Sequence, residues 1–147
     1  MNRRNRRTID LRSQKGQSLT EFALALPILA LLLFAVIQFG ITFNNYITLT
    51  DATRAGARKA AVSGHVSPGA ATTATAAAVV NSACGVPNPP PCNLKGFTTS
   101  NVTVTALGNW QSGTDVKVSA SYPYKISLLG MVVKSGQLTS TTTERVE

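Results

Sequence analysis

From Phe22 to Ile37 the chain carries no charged or strongly polar side chain. Gln38 interrupts the run, and Phe39-Gly40-Ile41-Thr42-Phe43 continues it. As a helix rising 1.5 Å per residue, Phe22–Phe43 spans ~33 Å, close to the ~30 Å hydrocarbon thickness of a bilayer. The pattern therefore predicts a transmembrane helix. A cleaved signal peptide is the rival, but its apolar region runs roughly 7–15 residues and ends at a small-x-small site. Asn44-Asn45-Tyr46 is not such a site. Pro27 lies near the start of the run, where it kinks rather than breaks a membrane helix.

Beyond the apolar run, Tyr46, Leu49, Thr53, Gly56 and Ala60 recur at three- and four-residue steps. That period extends the helix to about Ser63-Gly64. The stripe is narrow and made largely of small residues, which lets another helix approach closely. Ser67-Pro68 fits an N-cap followed by proline at the first helical position, and predicts a second helix over Ala70–Ala83. Gly85 to Pro91 breaks it. Farther on, the period changes to two. Asn101–Leu107 and Asp115–Tyr122 alternate polar and apolar residues, and Thr-rich Gln137–Val146 does so more weakly. Gly108-Asn109 and Gln111-Ser112-Gly113 are turn signals between them. Three strands in an antiparallel meander are the simplest arrangement. Pro123 should end the second strand or place it at an edge. Ile126–Val133 is an apolar patch too short to span a membrane, suited to capping the sheet or forming an interface. The expected fold class is α+β: a long N-terminal transmembrane helix extending into an extracytoplasmic α+β domain with a small antiparallel sheet. The expected parts are a basic leader (1–16), the transmembrane and extended helix (17–63), and an extracytoplasmic domain (64–147).

Charge orients this arrangement. Arg3, Arg4, Arg6, Arg7, Arg12 and Lys15 against Asp10 place +5 of the formal +8 in the first fifteen residues. Met1–Lys15 has no apolar periodicity and reads as disordered in isolation. A basic arm also suits nucleic acid, but beside an apolar run it reads as the cytoplasmic flank of a span. The opposite flank, Asn44 to Thr50, is uncharged. The N-terminus is thus expected in the cytoplasm and the C-terminal bulk outside, with lipid around the helix. Cys84 and Cys92 bracket a stiff, proline-rich loop. Outside the cytoplasm they read as a disulfide; in a reducing compartment they read as two free thiols.

Catalytic chemistry has little foothold. His65 is the only histidine and sits by a helix break. The acids beyond the apolar run, Asp51, Asp115, Glu144 and Glu147, are scattered over different elements. No nucleophile–base–orienter set can be assembled from them, and no metal or other cofactor is implied. Basic residues do not alternate with aromatics, so a single-strand nucleic-acid groove is not supported.

The chemistry concentrates instead in Gly16-Gln17-Ser18-Leu19-Thr20-Glu21-Phe22. Glu21 is the only acid between Asp10 and Asp51, and it stands at the mouth of the apolar run. A carboxylate taken to the middle of a span costs roughly 2.5–3.5 kcal/mol, and less near the interface. Gly16 lets a protease approach the backbone. Cleavage after it would give Gln17 a free amine, largely protonated at neutral pH. Amine and carboxylate from neighbouring subunits could then satisfy each other at membrane depth and set an axial register.

These residues resemble the TadE-like family of pseudopilins from tight-adherence (Flp-type, type IVb) pilus systems. Gly16–Phe22 is similar to the prepilin peptidase site. Ala25-Leu26-Pro27 and Gln38-Phe39-Gly40 are similar to the family's membrane helix. Ala52-Thr53-Arg54-Ala55-Gly56-Ala57-Arg58 resembles its Ala-x-Arg-x-Gly-Ala-Arg segment. The resemblance implies processing at Gly16 and Gln17, assembly register at Glu21 and Phe22, and helix packing at Gly40, Arg54, Gly56 and Arg58. Its implied partners are membrane lipid, the prepilin peptidase, other pilins or pseudopilins and the assembly platform. The family often carries acids where Gln38 and Ala55 stand. Major Flp pilins commonly carry Tyr where Phe22 stands, which with the long ectodomain points to a minor pseudopilin. The alternative is an unprocessed, membrane-anchored envelope binding or adhesion protein.

Overall fold

A computed structural model of the chain describes residues 11–85, 92–128 and 130–147. The expected disorder of the leader over 1–10, the helix-breaking loop over 86–91 and Leu129 of the apolar patch lie outside the described residues. The elements are α1 (Leu11–Ala61), α2 (Pro68–Cys84), a short 3-10 turn (Thr99–Asn101), β1 (Val102–Ala106), β2 (Asp115–Leu128) and β3 (Met131–Arg145). The fold is α+β.

The first helix begins earlier than the apolar run. Leu11–Lys15, expected to be disordered with the rest of the leader, is helical. Leu, Arg, Gln and Lys are good helix formers, and adding a residue to an existing helix avoids the cost of nucleation. Pro27 is accommodated without a break. Contacts divide the chain into two units, one reaching Ile37 and the other running from Gln38 to Glu147. In the first unit, the apolar side chains between Leu19 and Ile37 are largely exposed; Leu24 reaches 75% and Ile28 72%. Water does not tolerate a continuous apolar face of this extent.

The second unit is built on the last part of α1. Leu49, Ala52, Thr53, Ala57 and Ala60 are fully buried there. Tyr46, the first member of the expected stripe, is 43% exposed and lies outside this packed face. α2 starts as expected, with Ser67 at the N-cap and proline in the first turn, and turns Ala71, Thr75, Ala76, Val79 and Ala83 inward. Gly56 is what permits the approach: a Cβ there would collide with Val79 Cγ2.

The described strands form a meander ordered β1-β2-β3, antiparallel throughout. Val116, Val118 and Ala120 of β2 face the core, joined by Leu94, Phe97, Trp110 and Val146. Pro123 does not end β2. The strand runs on to Leu128, because beyond Ala120 it has lost β1 and keeps only β3 as neighbour. A missing N–H is tolerated at such a local edge. Ile126–Val133, where it is described, forms the tip of the β2–β3 hairpin.

Trp110 reaches the core from the β1–β2 connection, with Asn109 and Trp110 both at positive φ (52° and 63°). An aromatic residue rarely adopts that conformation; here it delivers a large side chain that is only 4% exposed. The C-terminal residues close the unit. Val146 N–H donates to Thr114 C=O at 2.8 Å, and Glu147 N–H donates to Ala61 C=O at 2.9 Å. The second bond occupies a carbonyl in the final turn of α1, where intrahelical donors have run out.

Candidate functional site

The Gly16–Phe22 stretch is helical throughout. Gly16 has no heavy atom within 4 Å of where a Cβ would stand. Glycine costs roughly 0.5–1 kcal/mol relative to alanine inside a helix, so Gly16 is a weak point in the winding. Gln17 and Glu21 are brought together one turn apart: Gln17 Nε2 donates to Glu21 Oε1 at 3.1 Å. The i,i+4 spacing could have revealed this pair from sequence. Thr20 Oγ1 donates to the Gln17 carbonyl at 2.7 Å. Phe22, 60% exposed, joins Leu26, Leu29, Leu33 and Val36 along an apolar groove of the same helix. The site thus places a carboxylate, its amide donor and the start of an apolar face within two helical turns.

The remaining candidates divide by environment. Gly40 has open space around it. Gly56 is buried against α2, with Thr75 C=O at 3.5 Å from a Cβ built on it. Arg54 and Arg58 lie on the exposed side of the helix. Arg54 pairs with Asp51 at 3.6 Å, in the i,i+3 relation, with both side chains well exposed. Arg58 and Lys59 occupy the last turn, where cations complement the helix dipole. Cys84 and Cys92 are joined by a disulfide that packs against the core. His65 is exposed. Among the described residues no three His, Cys, Asp or Glu side chains come together as a metal site would require.

Among the described residues, one helix is long and apolar enough to cross a membrane, and the chain is of the class that joins such a helix to a small α+β domain. Residues 16–58 match the family model described as TadE-like protein. The family is associated with tight-adherence pili and is generally non-catalytic. No curated protein and no solved structure matches the chain.

Proposed function

We propose that this chain is a non-enzymatic, single-pass pseudopilin that assists the initiation, anchoring or assembly of an Flp-type pilus after prepilin peptidase removes its leader. The N-terminus lies in the cytoplasm and residues 64–147 lie outside. The observation that carries the reading is the Gly16–Phe22 stretch, which opens the family-matched segment and leads into an apolar helix with no cover of its own.

In this reading the peptidase hydrolyses the Gly16–Gln17 bond, using the softness of the helix at Gly16. The leader leaves with a carboxylate, and Gln17 keeps a new amine. Before cleavage Glu21 has a neutral donor, the Gln17 amide. After cleavage an ammonium of a neighbouring subunit supplies a charge-assisted bond, which is roughly twice as strong as a neutral one. The axial offset that brings the two groups together becomes the register of the assembly. The ectodomain meets other pilins or pseudopilins and the assembly platform.

The reading is tested by mass spectrometry of the mature N-terminus from a strain with active prepilin peptidase. A chain starting at Gln17 is expected. An intact Met1 would refute processing and leave an anchored envelope binding or adhesion protein. Glu21→Ala tests the register: insertion and cleavage are retained while assembly falls. Normal assembly by that variant removes the role assigned to Glu21.

A further inference from the structure

The β2–β3 hairpin outruns its own sheet. β1 pairs with β2 only over Val116–Ala120, whereas β3 stays paired to Leu128↔Met131. Beyond Tyr122 the hairpin is a two-stranded arm, a construction that is marginal in water by itself. Its tip is apolar and open: Met131 is 70% exposed, Val132 60% and Val133 62%. On β2 the alternation that points Val116, Val118 and Ala120 at the core continues through Tyr124 and Ile126, and after a register shift between Ile126 and Ser127 the tip pairs Leu128 with Met131. The apolar face thus persists where the packed cluster has ended. Just behind the tip stand two exposed cations, Lys125 and Lys134.

Contacts within Gln38–Glu147 fix the direction of the arm. At its base, the Glu147–Ala61 hydrogen bond and the packing of Val146 on Gly64 hold the sheet at the C-terminal end of α1. Farther along, Tyr122 packs edge-on against Phe97 and donates its hydroxyl to Lys95 C=O at 3.2 Å. That segment is tied through Cys92 to Cys84, at the end of α2, past the contact of Val79 with Gly56. From Asp115 to Tyr122, β2 therefore leads from the residues held at Ala61 to those tied to Cys84, five residues beyond Val79 on α2. The stretch from Tyr122 to Leu128 adds ~20 Å at a strand rise of about 3.3 Å. Along α1, Gly56 to Phe43 is also ~20 Å at 1.5 Å per residue. The arm is long enough to bring its tip to the level where the apolar run of α1 ends.

We propose that the hairpin tip, Leu128 with Met131–Val133, inserts into the outer face of the bilayer that α1 spans, giving the ectodomain a second attachment to lipid. This rests on the reading of α1 as a membrane span. An apolar end, then lysines and a tyrosine, is an order of side chains that suits passage from hydrocarbon to head groups. Lys125 and Lys134 reach phosphate oxygens while their stems stay against apolar surface. Two attachments hold the ectodomain at a set tilt on the membrane, which one helix leaving the bilayer does not do.

The test is tryptophan fluorescence of the full chain in phosphatidylcholine–phosphatidylglycerol vesicles, with and without bromine on the acyl chains. Trp110 supplies a constant buried background. Val132→Trp is expected to emit at shorter wavelength than an exposed tryptophan and to be quenched by brominated lipid. Leu107→Trp, on the exposed connection after β1, is expected to stay water-like and unquenched. Leu32→Trp reports on the span itself. Quenching at Leu32→Trp without quenching at Val132→Trp overturns this inference alone. Absence of quenching at both overturns the span reading with it. A blue-shifted but unquenched Val132→Trp places the tip against protein, a second copy or the chain's own helix, and equally overturns insertion.

Discussion

Replacing Gly56 with alanine asks whether the small-residue stripe of α1 is already occupied within the chain. A Cβ at position 56 meets Val79 Cγ2 in collision, and lies 3.5 Å from both Val79 Cβ and Thr75 C=O. Val79 is fully buried, so its methyl group has little room to withdraw. Overpacking of this kind costs ~1–3 kcal/mol. Alanine recovers about 1 kcal/mol of helix propensity over glycine. The balance is a loss of up to about 2 kcal/mol for Gly56→Ala, and Gly56→Leu exceeds it. Val79→Ala alone removes two buried carbons and leaves a void, a loss of ~2 kcal/mol.

The decisive quantity is the coupling between the two changes. In the double variant the methyl group added at position 56 occupies space that Val79 has vacated, so the combined loss falls short of the sum by ~1–2 kcal/mol. The assay is urea unfolding of the full chain in nanodiscs, followed by the emission of Trp110, the single tryptophan. With a urea slope of ~1–3 kcal/mol per molar, a loss of about 2 kcal/mol moves the midpoint by about 1 M. Additive single effects within ~0.5 kcal/mol, with Gly56→Ala stabilising, would refute the argument. They would mean that Gly56 is kept clear for a helix of another subunit and that α2 does not press on it.

Three further outcomes follow from the same core. Replacing Cys84 and Cys92 together by alanine should cost ~2–3 kcal/mol in the chain-entropy account of a short loop, and reductant added to the parent chain should reproduce most of the loss in the same urea assay. Thr75→Val should be neutral or stabilising by ~1 kcal/mol, because Thr75 Oγ1 is buried without a hydrogen-bond partner and valine keeps the shape; a clear loss in the unfolding midpoint would contradict it. Arg54→Ala should leave unfolding within ~0.5 kcal/mol of the parent, since its pair with Asp51 is largely solvated. A fall in assembly at unchanged stability would mark Arg54 as a contact to another subunit, whereas a large loss of stability would refute the solvated reading.

What could be read from the chain follows from how local each cause is. α1 rests on its unbroken apolar run and the three- and four-residue stripe beyond it, α2 on its N-terminal signal, and the strands on a period of two, so they are legible from local sequence. The α2 start is clearest of all, because Ser67-Pro68 carries its own backbone chemistry. Misread features depend on partners distant in sequence. Pro123 reads as either a stop or an edge, and only the short reach of β1, which leaves β2 a free side there, selects the edge. Trp110 sits in what reads as a turn, and only the core it fills explains a left-handed aromatic. Val146 gives no sign of closing over Gly64. Tyr46 keeps the period of the stripe yet lies outside the packed face. The Gly16–Phe22 segment, by contrast, is linear, and its residue pattern is visible without the fold; what the structure adds is the partner of Glu21.

The Ala52–Arg58 segment shows why the two kinds of information need each other. Its residues lie within the family match, which ends at residue 58, but their environments are set by residues beyond that match. Val79 and Thr75 of α2 claim Gly56, and Ala52, Ala57 and Ala60 are buried in the same unit. Arg54 and Arg58 are left facing outward. A segment that reads as one helix-packing motif is thus split by α2 and the C-terminal domain into a face already used and a basic face turned outward. Any helix or pilin that docks on this part of α1 has to do so on the arginine side. Charge reversal at Arg54 or Arg58 should therefore impair assembly without unfolding the domain, while enlarging Gly56 should unfold the domain first.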